Sequence, residues 1–188
     1  MVLKTFKEPD YSLTDQCAFE TLDITCTATY ITQQFVEEIS KRGFKKRMDF
    51  VQVQAVQLLD RKVGGLSLYG TIEKFIPGEY LKFNSNAGYV NQNVGYTAQT
   101  LSHYSWQMSN KKLILVDLQG ISEDGYILTD PAIHSVEEAR FGNTNQGEKG
   151  FEMFFENHAC NQDCQRLCLE EHPSQVLPPV NITTVLRK

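Results

Sequence analysis

The sequence predicts an α+β fold arranged as two lobes. Three features point there. Strand-like segments with one helix come first, a polar stretch rich in Asn and Gly (PGEYLKFNSNAGYVNQ, residues 77–92) follows, and helix, strand, loops and helix come after it. The length of 188 residues suits one sizeable core or two small lobes around a cleft. The expected division is an N-terminal lobe with its hinge over residues 1–78, a C-terminal lobe over 79–172 and an extended tail over 173–188. A cleft between lobes is a common place for a ligand.

MVLKTF at the N-terminus reads as a short strand that starts abruptly, which suggests an upstream part is missing. EPDYSLTD is turn-rich. TATYITQQFVEEISKR (27–42) carries Ile31, Phe35 and Ile39 at a spacing of four, an apolar stripe on a helix with a basic last turn. MDFVQVQAVQLL (48–59) alternates Val51, Val53 and Ala55 with Gln52 and Gln54, the pattern of a half-buried strand. DRKVGG is a turn and LSLYGTIEKFI (66–76) the returning strand of a hairpin. Beyond the polar stretch, TAQTLSHYSWQMS (97–109) is a helix with Leu101, Tyr104 or Ser105, and Met108 on one side. KKLILVDLQG (111–120) is an apolar strand ending in polar residues and glycine. ISEDGYILTDPAIHS reads as a loop, FGNTNQGEKG as a second, glycine-rich loop, and FEMFFENHACNQDCQRLCL (151–169) as one helix.

Composition narrows the function classes. A net charge of −5 argues against a surface built for nucleic-acid phosphates. No apolar run approaches the roughly 18 residues of a membrane span, and the N-terminus has no signal-peptide core. Five cysteines, an odd number with three in one segment, suggest metal more than disulfide, so a reducing, cytoplasmic setting is expected.

Three stretches carry candidate chemistry. HACNQDC places His158, Cys160 and Cys164 within seven residues. On a helix the two cysteines share a face, with His103 or His134 as a distant fourth ligand for zinc and Cys168 as a local competitor. The other reading is a buried helix in which cysteine serves as a small apolar residue. In LILVDLQG, Asp117 ends an apolar run, Gln119 points to the same side, and Asp130 follows in LTDP. These are either turn residues or a base with oxygen ligands for magnesium. The glycines Gly142, Gly147 and Gly150 let a backbone approach a phosphate or peptide closely, or simply form a loop. They do not follow a predicted strand and open a helix.

Taken together, VLKTF, EKFIPGEYLKFNSNAGYV, LSHYSW, LILVDLQGI, LTDPAIHS, FGNTNQGEKG and FFENHACNQDC resemble, in this order, the motifs of the alpha-kinase family of atypical protein kinases. That group includes the elongation-factor-2 kinases and myosin heavy-chain kinases. The resemblance runs from about Lys4 to Leu169. It implies a two-lobed protein-kinase-like fold with a zinc site in the C-terminal lobe. It also implies an ATP- and magnesium-dependent serine/threonine protein kinase that acts on protein substrates. By this resemblance Lys4 holds the ATP phosphates, and Glu73 and Phe75 belong to the adenine hinge. Asp117 accepts the substrate proton, and Gln119 and Asp130 bind magnesium. The loop of Gly142, Asn143, Thr144, Asn145 and Gly147 seats the peptide, while His103, His158, Cys160 and Cys164 bind zinc.

The chain also departs from the family. Strands that precede the lysine strand in the family have no counterpart here, so the N-terminal lobe is expected to be incomplete. The lysine's acidic partner is absent from the helix positions where it is expected, which hold Ile31 and Thr32, with Glu37 and Glu38 a turn or two later. ISEDGYILTDP is longer than usual, and Thr144 and Gln146 replace small apolar residues. The competing reading is a non-catalytic, zinc-stabilised kinase-like module that binds peptide or nucleotide as a scaffold.

Overall fold

The computed structural model describes residues 1–6 and 13–175. Part of the expected turn (7–12) and most of the expected tail (176–188) lie outside the described residues.

After β1 (Val2–Thr5), α1 runs from Gln16 to Lys41, well beyond the N-terminal limit its apolar stripe predicts. The added turns hold Thr21, Thr25 and Thr29, whose hydroxyls donate to the carbonyls of Cys17, Thr21 and Thr25. Bonding back along the helix lets threonine, a weak helix former, sit there without an unpaired hydroxyl. Buried Ala28, Ile31, Phe35 and Ile39 form the stripe. The helix ends where Gly43 turns to φ 85° and Phe44 N–H donates to the Ile39 carbonyl at 3.1 Å, the glycine-based stop of many helices.

The expected strand over 48–59 is split between two sheets. β2 (Met48–Phe50) pairs in parallel with β8 (Tyr126–Thr129), whereas β3 (Val53–Val63) pairs antiparallel with β4 (Leu66–Glu73). The apolar alternation is continuous across Val51 and Gln52, so the change of partner leaves no trace in the pattern. β3 also runs through most of the expected turn, which contracts to Gly64 and Gly65. β1 completes this three-stranded sheet in the order β1-β4-β3.

The polar stretch contains β5 (Leu81–Lys82) and a bridge between Asn84 and Val90. α2 (Tyr96–Met108) lies where its pattern predicts. The apolar strand is shorter than expected: β6 covers Leu113–Val116, and the chain breaks at Asp117 and Leu118 before β7 (Gln119–Ile121). The segment expected as a loop supplies β8 (Tyr126–Thr129) and β9 (Ala132–Ser135). Strands of four residues are too short to show a period. The remaining sheets are β2-β8-β7-β5 and β6-β9.

β6 is buried on both sides, which explains its unbroken apolar run. Leu115 joins the core of Phe35, Phe83, Leu101, Leu128 and Ile133, while Ile114 and Val116 pack with Trp106, Phe151, Phe154 and Phe155. The last three belong to α3 (Gly147–Asn157), so this helix starts inside the expected glycine-rich loop. The single helix expected over 151–169 is two. The chain is extended at His158 and restarts as α4 (Gln162–Arg166), where the Asn161 side chain accepts from the amides of Asp163 and Cys164.

Gly150 faces the His134 ring so closely that a Cβ would overlap it. Gly150→Ala is therefore expected to destabilise the chain by about 1–3 kcal/mol through overpacking. A urea midpoint equal to that of the parent would contradict this.

Candidate active site and metal centre

Sheet register brings the first charged group to the site. β1 lies antiparallel to β4 with Lys4 opposite Thr71, which places its side chain near Glu73. Lys4 Nζ is 2.7 Å from Glu73 Oε1 and donates to both Asp130 oxygens at 2.7 Å. It also donates to Thr129 Oγ1 at 3.1 Å, and that hydroxyl donates to the Glu73 carboxylate at 2.9–3.0 Å. Glu73 is buried (4% exposed), so its charge is tolerable because an ammonium and a hydroxyl face it. The acidic partner sought on α1 thus comes from β4.

The second half of the site is built on β7. Gln119 is registered opposite Thr129, next to Asp130, and donates to the Asp130 carbonyl at 3.4 Å. Asp117 sits in the break between β6 and β7, with Oδ1 2.7 Å from Lys82 Nζ. Lys82 itself is registered opposite Gln119. Asp117 and Asp130 both adopt left-handed backbone conformations, φ 59° and 51°. Asp tolerates this region better than most residues, and such conformations cluster at functional sites. The Tyr80 phenol is pushed up to about 12, first by burial and then by the charges of Asp130, Glu73 and Asp117.

Lys4, Glu73, Gln119 and Asp130 therefore meet, with Asp117 beside them. Phe75 lies past the end of β4 with its ring exposed. In the glycine-rich segment, Gly142–Thr144 form a short 3₁₀ turn in which Asn143 and Thr144 are exposed. Asn145 organises this segment: its Oδ1 accepts from the amides of Ser135 and Gly147, and its Nδ2 donates to the carbonyls of Glu137 and Arg140. Gly147 opens α3 at φ 61°.

The metal-ligand candidates converge as well. One ligand atom each from His103, His158, Cys160 and Cys164 lies within 4.8 Å of all the others. His103 Nδ1 is 3.3 Å from His158 Nε2 and 3.6 Å from Cys160 Sγ, and His158 Nε2 is 3.6 Å from Cys164 Sγ. Cys160 precedes α4, so the cysteines do not share a helix face. The extended residues after α3 aim Cys160 instead. His103 Nε2 lies 2.7 Å from the Glu170 carbonyl oxygen and must carry the proton that it donates there, leaving the Nδ1 lone pair facing the cluster. Burial pushes the His158 imidazole down to about 3, with His103 adding to the shift, and pushes the Cys160 thiol up to about 11, ahead of the effect of Cys164. Such a pocket keeps its imidazoles neutral and lets thiols ionise when a cation replaces their protons.

His134 is held elsewhere: Nε2 donates to the Asn86 carbonyl, and Nδ1 accepts from the Gln146 amide. Cys168 is exposed. The ion-pair role of Glu73, and Lys82 altogether, escape a reading of the residues. Lys82 follows Leu81 in a two-residue strand, and a lone lysine there carries no signal.

The sequence profile of the alpha-kinase family matches residues 1–164. The chain belongs to the alpha-kinase family. It is 38% identical over 153 residues to alpha-protein kinase vwkA of Dictyostelium discoideum, covering 80% of this chain and 24% of that protein. It is 38% identical over 134 residues to the eukaryotic elongation factor 2 kinase of Homo sapiens, covering 71% and 18%. The chain thus spans a quarter or less of these relatives. Among solved structures, the alpha-kinase domain of myosin heavy chain kinase A in complex with AMPPCP superposes with a TM-score of 0.78 at 33% identity. That match covers 89% of this chain and 63% of the other. The kinase-like α+β fold is therefore that of the family.

Lys4→Met would leave the buried Glu73 carboxylate without its cation and cost about 1–3 kcal/mol. The double variant Lys4→Met/Glu73→Gln is expected to recover most of that loss. Urea unfolding of the four proteins checks this, and simple additivity would contradict the pairing.

Proposed function

We propose that this alpha-kinase chain transfers the γ-phosphoryl group of ATP to serine or threonine hydroxyls of protein substrates, with magnesium as cofactor and a structural zinc. The observation that carries the proposal is the meeting of Lys4, Glu73, Gln119 and Asp130 beside Asp117. Phosphoryl transfer needs little covalent help. It needs fixed charges around the transferring group and an oriented acceptor.

In this reading Lys4, fixed by Glu73, offers its ammonium to the phosphate oxygens. Asp130 and Gln119 supply oxygen atoms that suit magnesium. When bound, magnesium would neutralise phosphate charge. Asp117 receives the proton of the acceptor hydroxyl, and Lys82, 2.7 Å from its Oδ1, orients its carboxylate. The end of β4, from Glu73 through Phe75, forms the adenine hinge. The exposed turn from Gly142 to Thr144, tied down by Asn145 and continued by Gly147, faces the peptide. Residues 1–78 and 79–172 act as the two lobes of the catalytic unit, followed by a tail. The lobe carrying β1, β3 and β4 is the smaller one.

Zinc fits the four-residue cluster. A tetrahedral ion with bonds of about 2.0–2.1 Å to nitrogen and about 2.3 Å to sulfur requires nitrogen–nitrogen edges of about 3.3 Å and nitrogen–sulfur edges of about 3.6 Å. The His103–His158, His103–Cys160 and His158–Cys164 distances match these lengths, at 3.3, 3.6 and 3.6 Å. With four protein ligands the ion would be closed to substrate, so its role would be structural. Thiolate ligands suit a reducing interior, and we place the protein in the cytoplasm. Among the described residues no helix is long and apolar enough to cross a membrane.

ATP-dependent labelling of a generic basic protein is the test. Asp117→Asn is expected to lower the rate about 10²–10⁴-fold, and Asp130→Ala by several orders of magnitude. Labelling by the parent chain no greater than by Asp117→Asn would reject catalysis and favour the scaffold reading.

A further inference from the structure

Among the described residues the break between β6 and β7 has no ladder partner, yet it carries Asp117 and leads into Gln119. Its second residue, Leu118, is fully buried. A buried peptide unit outside a sheet must find its hydrogen bonds elsewhere. Phe83 and Asn84 supply the bonds of this residue. Leu118 N–H donates to Asn84 Oδ1 at 3.0 Å, and its carbonyl accepts from the amides of Phe83 at 2.9 Å and Asn84 at 3.3 Å.

Asn84 is itself fully buried, and its Nδ2 donates to Ser102 Oγ on α2 at 3.0 Å. One turn further along α2, Ser105 Oγ accepts the amide of Leu115 at 2.8 Å. A rigid helix thus holds the catalytic segment at two points, directly on β6 and, through Asn84, just past Asp117. The amide side chain is suited to this place because it accepts from a backbone N–H at one end and donates to a hydroxyl at the other.

The geometry points to Asn84 as a positioning residue for phosphoryl transfer, a step that rests on the kinase reading above. It acts by fixing the Leu118 peptide plane. That plane sets ψ of Asp117 and φ of Leu118, and so the direction of the Asp117 carboxylate relative to Gln119. Asp117 occupies the left-handed region at φ 59°, where nothing intrinsic to an aspartate holds the backbone. Asn84 touches neither the charged cluster around Lys4 nor the four metal-ligand candidates, so its loss should spare nucleotide affinity and metal content.

The test compares the parent chain with Asn84→Ala, Ser102→Ala, Asp117→Asn and a stability control. The control is an α1 core variant, Ile39→Val or Ile39→Ala, whichever matches the fall in melting temperature of Asn84→Ala. Steady-state labelling gives kcat and the KM for ATP, and amide exchange by NMR reads Leu118 and Leu115. Asn84→Ala is expected to lower kcat about 100-fold, the scale of a misplacement of about 1 Å, with the KM for ATP within about threefold of the parent. Ser102→Ala is expected to lie between it and the parent. Leu118 N–H should lose protection in Asn84→Ala while Leu115 N–H keeps it. A kcat no lower than that of the stability control, or a loss expressed mainly in KM, overturns the inference and leaves the kinase reading intact. Parent labelling indistinguishable from Asp117→Asn overturns the kinase reading and this inference with it.

Discussion

Four side chains from α2, α3–α4 and the link between them must meet at one buried point, and much of the C-terminal architecture is a consequence. His103 on α2, His158 and Cys160 in the break, and Cys164 on α4 cannot converge if residues 147–166 form one continuous helix. The chain therefore unwinds at His158 and is recapped by Asn161. Without an ion the point is costly. His103 Nδ1 and His158 Nε2 turn lone pairs toward each other at 3.3 Å in a buried pocket, and the His158 ring is stacked on Phe154. Unpaired polar groups in such a place cost free energy, and a coordinating cation turns that cost into a tie between helices. A structural zinc contributes on the order of 10 kcal/mol, comparable with the net stability of a whole domain.

From there the constraint passes inward along α2. The helix that presents His103 also presents Ser102 and Ser105, and these reach the end of β6 through Asn84 and directly. β6 is packed on both faces, so its position is set by two cores at once. The break that follows releases Asp117 and Gln119 from the core into the polar site. On the other side, β1 and β4 deliver Lys4 and Glu73, and Asp130 in the β8–β9 turn closes the ring of charge. Two ammonium groups, Lys4 and Lys82, face three carboxylates, Glu73, Asp117 and Asp130. An excess of negative charge of this kind suits a site that takes up a divalent cation with its nucleotide.

How much of this was legible in the sequence depended on the range of the signal. α2 and the apolar run of β6 followed from periodicity and hydrophobicity, because burial there is continuous along the chain. α1 was cut short because its first turns carry threonines, whose back-bonding to helix carbonyls is invisible to an apolar stripe. The split of β2 from β3 was hidden because one alternating pattern serves two sheets. β8 and β9 were missed because four residues cannot display a period. In the site, the choice of the four metal-ligand candidates, which the fold brings together, followed from a family resemblance. Residue types alone left His134 open against His103, and Cys168 open against Cys164. Glu73 as the partner of Lys4, Lys82 beside Asp117 and Asn84 behind Leu118 depend on strand register and long-range contacts, which no local pattern encodes.

The most direct test of the account is X-ray absorption at the zinc edge on the 188-residue chain purified without added metal, together with its metal stoichiometry. The account predicts one zinc per chain in a shell of two nitrogen and two sulfur atoms, at about 2.0–2.1 Å and about 2.3 Å. A folded chain without bound metal, or a shell of oxygen ligands, would contradict it.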